Sequence, residues 1–127
     1  ADRQRCDRLE KAGCEVLRCD GESREQRLPF LLAELGKRQM TNLLVEGGGE
    51  LLGALHDLQA IDEVHVYVAP KLLGGRKAIS PMGGCGLGEV PQQASLRNFQ
   101  VELLDEDVHI SGRMMHRDLT PPLADNA

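Results

Sequence analysis

The sequence predicts an α/β domain, with a mixed, mostly parallel sheet flanked by helices and a C-terminal antiparallel hairpin. Three observations carry this. The short apolar run Leu43-Leu44-Val45 is followed by three glycines, a stretch at helical spacing, and an alternating strand pattern at 64–69. That order is a β-turn-α-β unit, whose crossover is right-handed. Two further alternating runs, 99–104 and 108–114, flank Asp105-Glu106-Asp107 and read as a hairpin closing the sheet. Upstream, Leu28, Leu31, Leu32 and Leu35 recur at three- and four-residue spacing, the mark of a helix with one buried face.

Taken in order, residues 2–12 are polar and helix-permissive, with Cys6 and Leu9 on one side and Gly13 as the stop. CEVLRC at 14–19 reads as a short strand. Ser23 with Gln26 three residues on is a capping-box pattern opening a helix to about Gln39, and Pro29 blurs where that helix starts. Glu50–Gln59 is the helix of the β-turn-α-β unit. From Leu72 to Pro91 glycines dominate, so this stretch is a long loop. The end of the chain, from 117, reads as a flexible tail after Thr120-Pro121-Pro122.

The chain has 127 residues, 41% hydrophobic, with 15 Lys+Arg against 20 Asp+Glu. This is ordinary globular composition for one domain and excludes wholesale disorder. A formal net charge of -5 argues against a non-specific nucleic-acid binder, and one Tyr, two Phe and no Trp argue against a base-stacking platform. No run approaches the about 18 apolar residues of a membrane span. Charge is uneven: residues 1–38 hold 9 basic and 8 acidic groups, whereas 39–91 and 92–127 each hold 3 and 6. Cys6, Cys14, Cys19 and Cys85 form no CxxC pair and read as reduced thiols, which points to the cytoplasm. No signal peptide is visible, and the start without Met on a charged helical stretch suggests a piece of a longer chain.

Gly47-Gly48-Gly49, between a strand and a helix, is the candidate site. Backbone without side chains lets a ligand approach and admits positive φ. The N–H groups of the turn from Gly48 to Leu51 lack intrahelical acceptors and point where the helix dipole favours an anion. A phosphate is the natural guest; a tight turn that merely packs helix on strand is the other reading. The triplet is neither a Walker loop nor the G-x-G-x-x-G fingerprint. Glu46, at the C-terminal end of the apolar run, lies where open α/β sheets bind ligands, and it can accept hydrogen bonds from them or act as a cap. Lys71, Arg76 and Lys77 could meet a phosphate or simply be solvated. His56, His65, His109 and His116 show no metal-binding spacing, so no metal is assigned, and His65 reads as a half-buried strand residue.

The stretch LVEGGGELLGALHDLQAIDEVHVYVAPKLLGG resembles the reductase domain of the bifunctional riboflavin-biosynthesis deaminase–reductase, a family with a dihydrofolate-reductase-like fold. The features that carry the resemblance are Val45-Glu46-Gly47-Gly48, Gly53-Ala54, Asp62-Glu63, and the run Ala69-Pro70-Lys71-Leu72-Leu73-Gly74-Gly75. The flanks agree, from Leu9, Gly13-Cys14-Glu15-Val16-Leu17 to Asp107-Val108 and Gly112-Arg113, so the likeness runs from about residue 8 to 114.

The resemblance implies NADPH-dependent reduction of 5-amino-6-(5-phosphoribosylamino)uracil to its ribitylamino product by a homodimer. It implies that Glu46 contacts substrate and that Gly47, Gly48, Gly49, Glu50, Leu51, Leu52, Gly53 and Ala54 hold the cofactor. It leaves the catalytic proton donor unassigned. Reductase domains of this family are longer, so residues 1–116 are expected to be the C-terminal portion of one. The first strands, the grip on the substrate phosphate, the adenosine end of the cofactor and the deaminase domain would lie elsewhere on the parent chain. The alternatives are a non-catalytic assembly module with open sheet edges, and a related reductase acting on a pteridine.

Overall fold

The computed structural model describes residues 2–75, 77–92 and 95–115, apart from the side chain of Glu25. The chain divides into two compact units, Ala1–Val45 and Glu46–Ala127. The expected tail at 117–127 lies outside the described residues, as does His116.

The first unit holds two helices, α1 (Arg3–Lys11) and α2 (Arg24–Lys37). Asp2 caps α1 by accepting the N–H of Gln4 at 3.1 Å, and Cys6 is its buried residue. Ser23 caps α2, accepting the N–H of Gln26 at 3.4 Å, while Gln26 Oε1 reaches back to the N–H of Glu22 at 2.8 Å. The start of α2 is thus set by the capping box, and the helix runs through Pro29. Leu28 is buried and Leu31, Leu32 and Leu35 are half-buried, which is the expected leucine face.

The strand expected at Cys14–Cys19 is not formed, and neither is the one at Leu43-Leu44-Val45. Both segments are irregular, and Leu44 is 79% exposed. A lone strand leaves its N–H and C=O groups to water, and no ladder of the described residues takes either segment in. The 14–19 segment is fixed instead by charge. Arg38 grips Glu15 with two nitrogens, at 2.8 and 2.9 Å, while its Nε lies 3.3 Å from Glu34. Arg38 accordingly holds the Glu15 carboxyl below the usual carboxylate range, chiefly through the hydrogen bond.

The second unit contains α3 (Gly49–Asp57) and strands β1 (Glu63–Val68), β2 (Leu96–Leu104) and β3 (Asp107–Met114). The hairpin forms as expected, turning at Asp105-Glu106 with Asp105 at φ 54°. The sheet order is β1-β3-β2 and both pairings are antiparallel. This corrects the mostly parallel sheet. With 43–45 outside every ladder, the parallel pairing that the crossover requires does not arise among the described residues, so β1 pairs with the hairpin's last strand. Between Arg97 and Gln100 the register of β2 slips at a bulge, where Asn98 has φ 51°. Opposite it, a Cβ on Gly112 would stand 3.1 Å from the Phe99 Cβ, which explains the glycine there.

Register sorts the sheet into two faces. Val64, Val66, Val68, Val101, Leu103, Val108, Ile110 and Met114 share one face, and Leu103 is 75% exposed. Glu63, His65, Tyr67, Gln100, Glu102, His109, Ser111 and Arg113 share the other.

All three helices end in the same doubly bonded C-cap. In α1, Gly13 N–H bonds Glu10 O at 3.0 Å and Cys14 N–H bonds Leu9 O at 3.0 Å, with Gly13 at φ 83°. In α2 and α3 the left-handed position is occupied by Gln39 (φ 59°) and Gln59 (φ 53°). A side chain there costs about 1–2 kcal/mol, against about 0.5–1 kcal/mol for the greater entropy loss of glycine. Exposed Gln39 loses no packing on replacement. Gln39→Gly is therefore expected to raise Tm by about 2–5 °C in thermal denaturation; an unchanged or lower Tm would refute the strain argument.

Candidate functional site

The glycine turn is built as the sequence suggested, with its backbone in the left-handed region. Gly47 has φ 70° and Gly48 φ 78°, and Gly48 is the N-cap of α3. Nothing described lies within 4 Å of a Cβ placed on Gly47, and on Gly48 it would meet only Leu51 Cβ, at 4.0 Å. The turn is thus bare backbone with open space before it. The Gly48 carbonyl accepts Leu51 N–H at 2.8 Å and Leu52 N–H at 3.0 Å. The Leu51 amide, expected to point at a ligand, is therefore used inside the turn. Glu50 stands in the first turn of α3, where the dipole favours its charge.

The remaining expected site residues divide by burial. Glu46 is exposed immediately before the turn, and Leu51 and Leu52 are half-buried. Gly53 and Ala54 are buried. What covers this part of α3 is the middle of the glycine-rich loop. Gly83 N–H donates to Gly49 O at 2.8 Å, and a Cβ on Gly49 would come 2.7 Å from Ser80 O. A Cβ on Gly53 would overlap the backbone of Gly83 and Gly84. Gly49 and Gly53 are therefore glycines because the loop backbone lies directly on the helix. Lys71 and Lys77 are exposed on the same loop, and Arg76 lies outside the described residues.

Sequence reasoning missed Asp57. Its carboxylate accepts the N–H groups of Cys85 at 2.6 Å and Gly86 at 3.2 Å, which pins the loop to the end of α3. Those donors, the Cys85 N–H first, hold the Asp57 carboxyl below the ordinary aspartate range against the opposing effect of lost water, and nearby His56 adds to it. One signal was available. An acid in the last turn of a helix opposes the dipole and needs a partner elsewhere. Because the folded-state pKa is depressed, the anchor is complete above the ordinary aspartate pKa and is lost as pH falls through the lower folded value. Acidification is expected to move the Cys85 and Gly86 amide resonances together with protonation of Asp57, and Asp57→Asn to abolish that titration. Resonances indifferent to both changes would refute the anchor.

All four cysteines are free, Cys6 buried and Cys14 and Cys85 exposed. Among the described residues no group of three or more His, Cys, Asp or Glu side chains could hold a metal ion, and no helix is long and apolar enough to cross a membrane. His65 is exposed rather than half-buried, and among the described residues His109 is the buried histidine.

These parts define an α/β chain with a glycine-capped helix and a glycine-rich loop laid upon it. Residues 1–110 match the family model described as the RibD C-terminal domain, and the chain belongs to that family, the reductase domain of RibD. It is 36% identical over 107 residues to the riboflavin biosynthesis protein RibD of Actinobacillus pleuropneumoniae, covering 84% of this chain and 28% of that protein. The RibD of Haemophilus influenzae is 39% identical over 83 residues, 65% of this chain and 21% of that protein. The RibD of Synechocystis is 28% identical over 114 residues, 89% of this chain and 31% of that protein. The chain thus spans less than a third of the length of these curated relatives.

Proposed function

We propose that this chain supplies the glycine-turn portion of a riboflavin-biosynthesis reductase, which reduces 5-amino-6-(5-phosphoribosylamino)uracil with NADPH. The observation that carries the reading is the left-handed Gly47-Gly48 turn opening α3, bare and unobstructed, in a member of the RibD C-terminal-domain family. The space before it fits a phosphate, because no side chain of the turn fills it and the helix's positive end faces that way. When bound, NADPH supplies the hydride that reduces C1′ of the ring-opened sugar imine. The backbone of Gly47, Gly48, Gly49 and Glu50 holds the cofactor's phosphate oxygens, and Leu51 and Leu52 fix the turn by bonding back to Gly48. Gly53 serves by packing, since it carries the loop that borders the turn, and Ala54 serves as a buried residue of α3. Glu46, exposed beside it, accepts hydrogen bonds from substrate hydroxyl or ring N–H groups. The parent is a cytoplasmic homodimer with a deaminase domain on the same chain.

Calorimetric titration of this chain with NADPH tests the cofactor site. Saturable binding supports it. Failure to bind by a demonstrably folded chain, together with failure of the full-length parent to oxidise NADPH in the presence of the substrate, overturns it. The sheet's exposed apolar face, with Leu103 75% exposed, favours a second reading, a module that assembles with another chain. A monomer by light scattering that binds NADPH decides against that reading.

A further inference from the structure

On the polar face of the sheet four side chains form a continuous hydrogen-bonded row across all three strands. Glu63 Oε1 lies 3.2 Å from His65 Nε2, His65 Nδ1 lies 3.1 Å from His109 Nε2, and His109 Nδ1 lies 2.7 Å from Glu102 Oε1. The ring planes of His65 and His109 are within 10° of parallel, with centroids 5.3 Å apart. That separation exceeds the N···N distance by just the two ring radii. Both facing nitrogens therefore lie on the line joining the rings, and the rings are coplanar rather than face to face.

Counting protons shows what this arrangement requires. An ionised carboxylate only accepts, so Glu63 needs a proton on His65 Nε2 and Glu102 needs one on His109 Nδ1. Two neutral imidazoles bring two N–H protons, and both are then used on the carboxylates. The facing nitrogens would be left with lone pair against lone pair at 3.1 Å. A cation between them satisfies all three contacts at once. A metal ion does not fit, because metal–nitrogen bonds of about 2.0–2.1 Å would need about 4 Å between nitrogens placed in line. A proton does fit, since 3.1 Å is an ordinary N–H···N distance.

We propose that His65 and His109 form a binding site for a single shared proton, held between Glu63 and Glu102. The pair then carries one positive charge between two carboxylates. The Tyr67 ring lies over His109, with centroids 4.6 Å apart and planes within 15°, and presents the negative face of its π-system to that charge. Arg113 opposes it weakly, its Nη1 standing 3.8 Å from Glu63 Oε2. Arg97 and Asp107 share the same face by register. A second proton would set N–H against N–H, and loss of the first leaves either lone pair against lone pair between the rings or Glu63 without its donor. The complete row, Glu63 included, is therefore satisfied at every contact only in the singly protonated state.

The test is nitrogen-15 NMR of the 127-residue chain with labelled histidines, titrated from acid to alkaline pH. The expected result is one proton coupled to both His65 Nδ1 and His109 Nε2 while His65 Nε2 and His109 Nδ1 are protonated as well, with one of these three protons lost on raising pH in a single step common to the two rings. In His65→Asn, which alters an exposed residue, that common step should disappear from the His109 resonances. Two rings titrating independently, or a His109 titration unmoved by His65→Asn, would overturn the proposal. So would the absence of any proton between the rings at every pH. The wild-type titration decides without any variant, so a misfolded variant does not leave the question open.

Discussion

In the complete reductase, Gly48→Asp is expected to weaken NADPH binding at least about tenfold, or about 1.4 kcal/mol, without unfolding the protein. The one carboxylate has two separable effects. Aspartate enters the left-handed region more readily than most residues and is a favoured N-cap, and its Cβ would meet only Leu51 Cβ, at 4.0 Å. Helix α3 should therefore lose no more than about 1–2 kcal/mol, the strain of a side chain at φ 78°. Yet the new charge sits at the helix N-terminus, in the place proposed for the cofactor's phosphate, where it repels the incoming anion and blocks its approach. Calorimetric titration and thermal denaturation of the same variant separate the two effects. Unchanged affinity in the folded variant would remove phosphate binding from this turn.

Gly53→Ala is expected to destabilise the second unit by about 1–3 kcal/mol, although alanine is the better helix former by about 1 kcal/mol. The added Cβ overlaps the backbone of Gly83 and Gly84, which cannot swing aside as a side chain would. The loop must lift, giving up the Gly83 N–H bond to Gly49 O and straining the two amide bonds to Asp57. Each such bond is worth about 0.5–1.5 kcal/mol net, so together they outweigh the propensity gain. A lowered Tm with faster exchange of the Gly83, Cys85 and Gly86 amides is the expected signature. A raised Tm with those amides still protected would show that the loop is not seated on the helix.

The helices were the most legible part of the sequence because their ends are decided locally. Ser23 and Gln26, Gly13, and the leucines of α2 act over a single turn. The hairpin was legible for the same reason, its two strands being separated by two turn residues. The sheet's direction was not. An apolar triplet such as Leu43-Leu44-Val45 states that it is apolar, but the pairing that makes a strand depends on distant partners. In the site, the three consecutive glycines announced the turn. They did not reveal that Gly49 and Gly53 answer to a loop some thirty residues away, nor that Asp57 fastens it, because a contact between distant segments leaves no periodic trace. The histidine row was hidden likewise, since His65 and His109 meet only through the register of β1 on β3.

The order β1-β3-β2 also has a consequence for synthesis. The central strand is the last of the three to leave the ribosome, and each earlier strand pairs only with it. Until residues 107–114 emerge, no other strand of the described residues offers β1 an edge to dock on, and its alternating valines lack this partner. The loop closed by the Val68–Val108 pairing must then be gathered in one late step, the kind of long-range closure that slows folding. At that point the helices are formed while this sheet is not, and its exposure to misassembly lasts until β3 is in place.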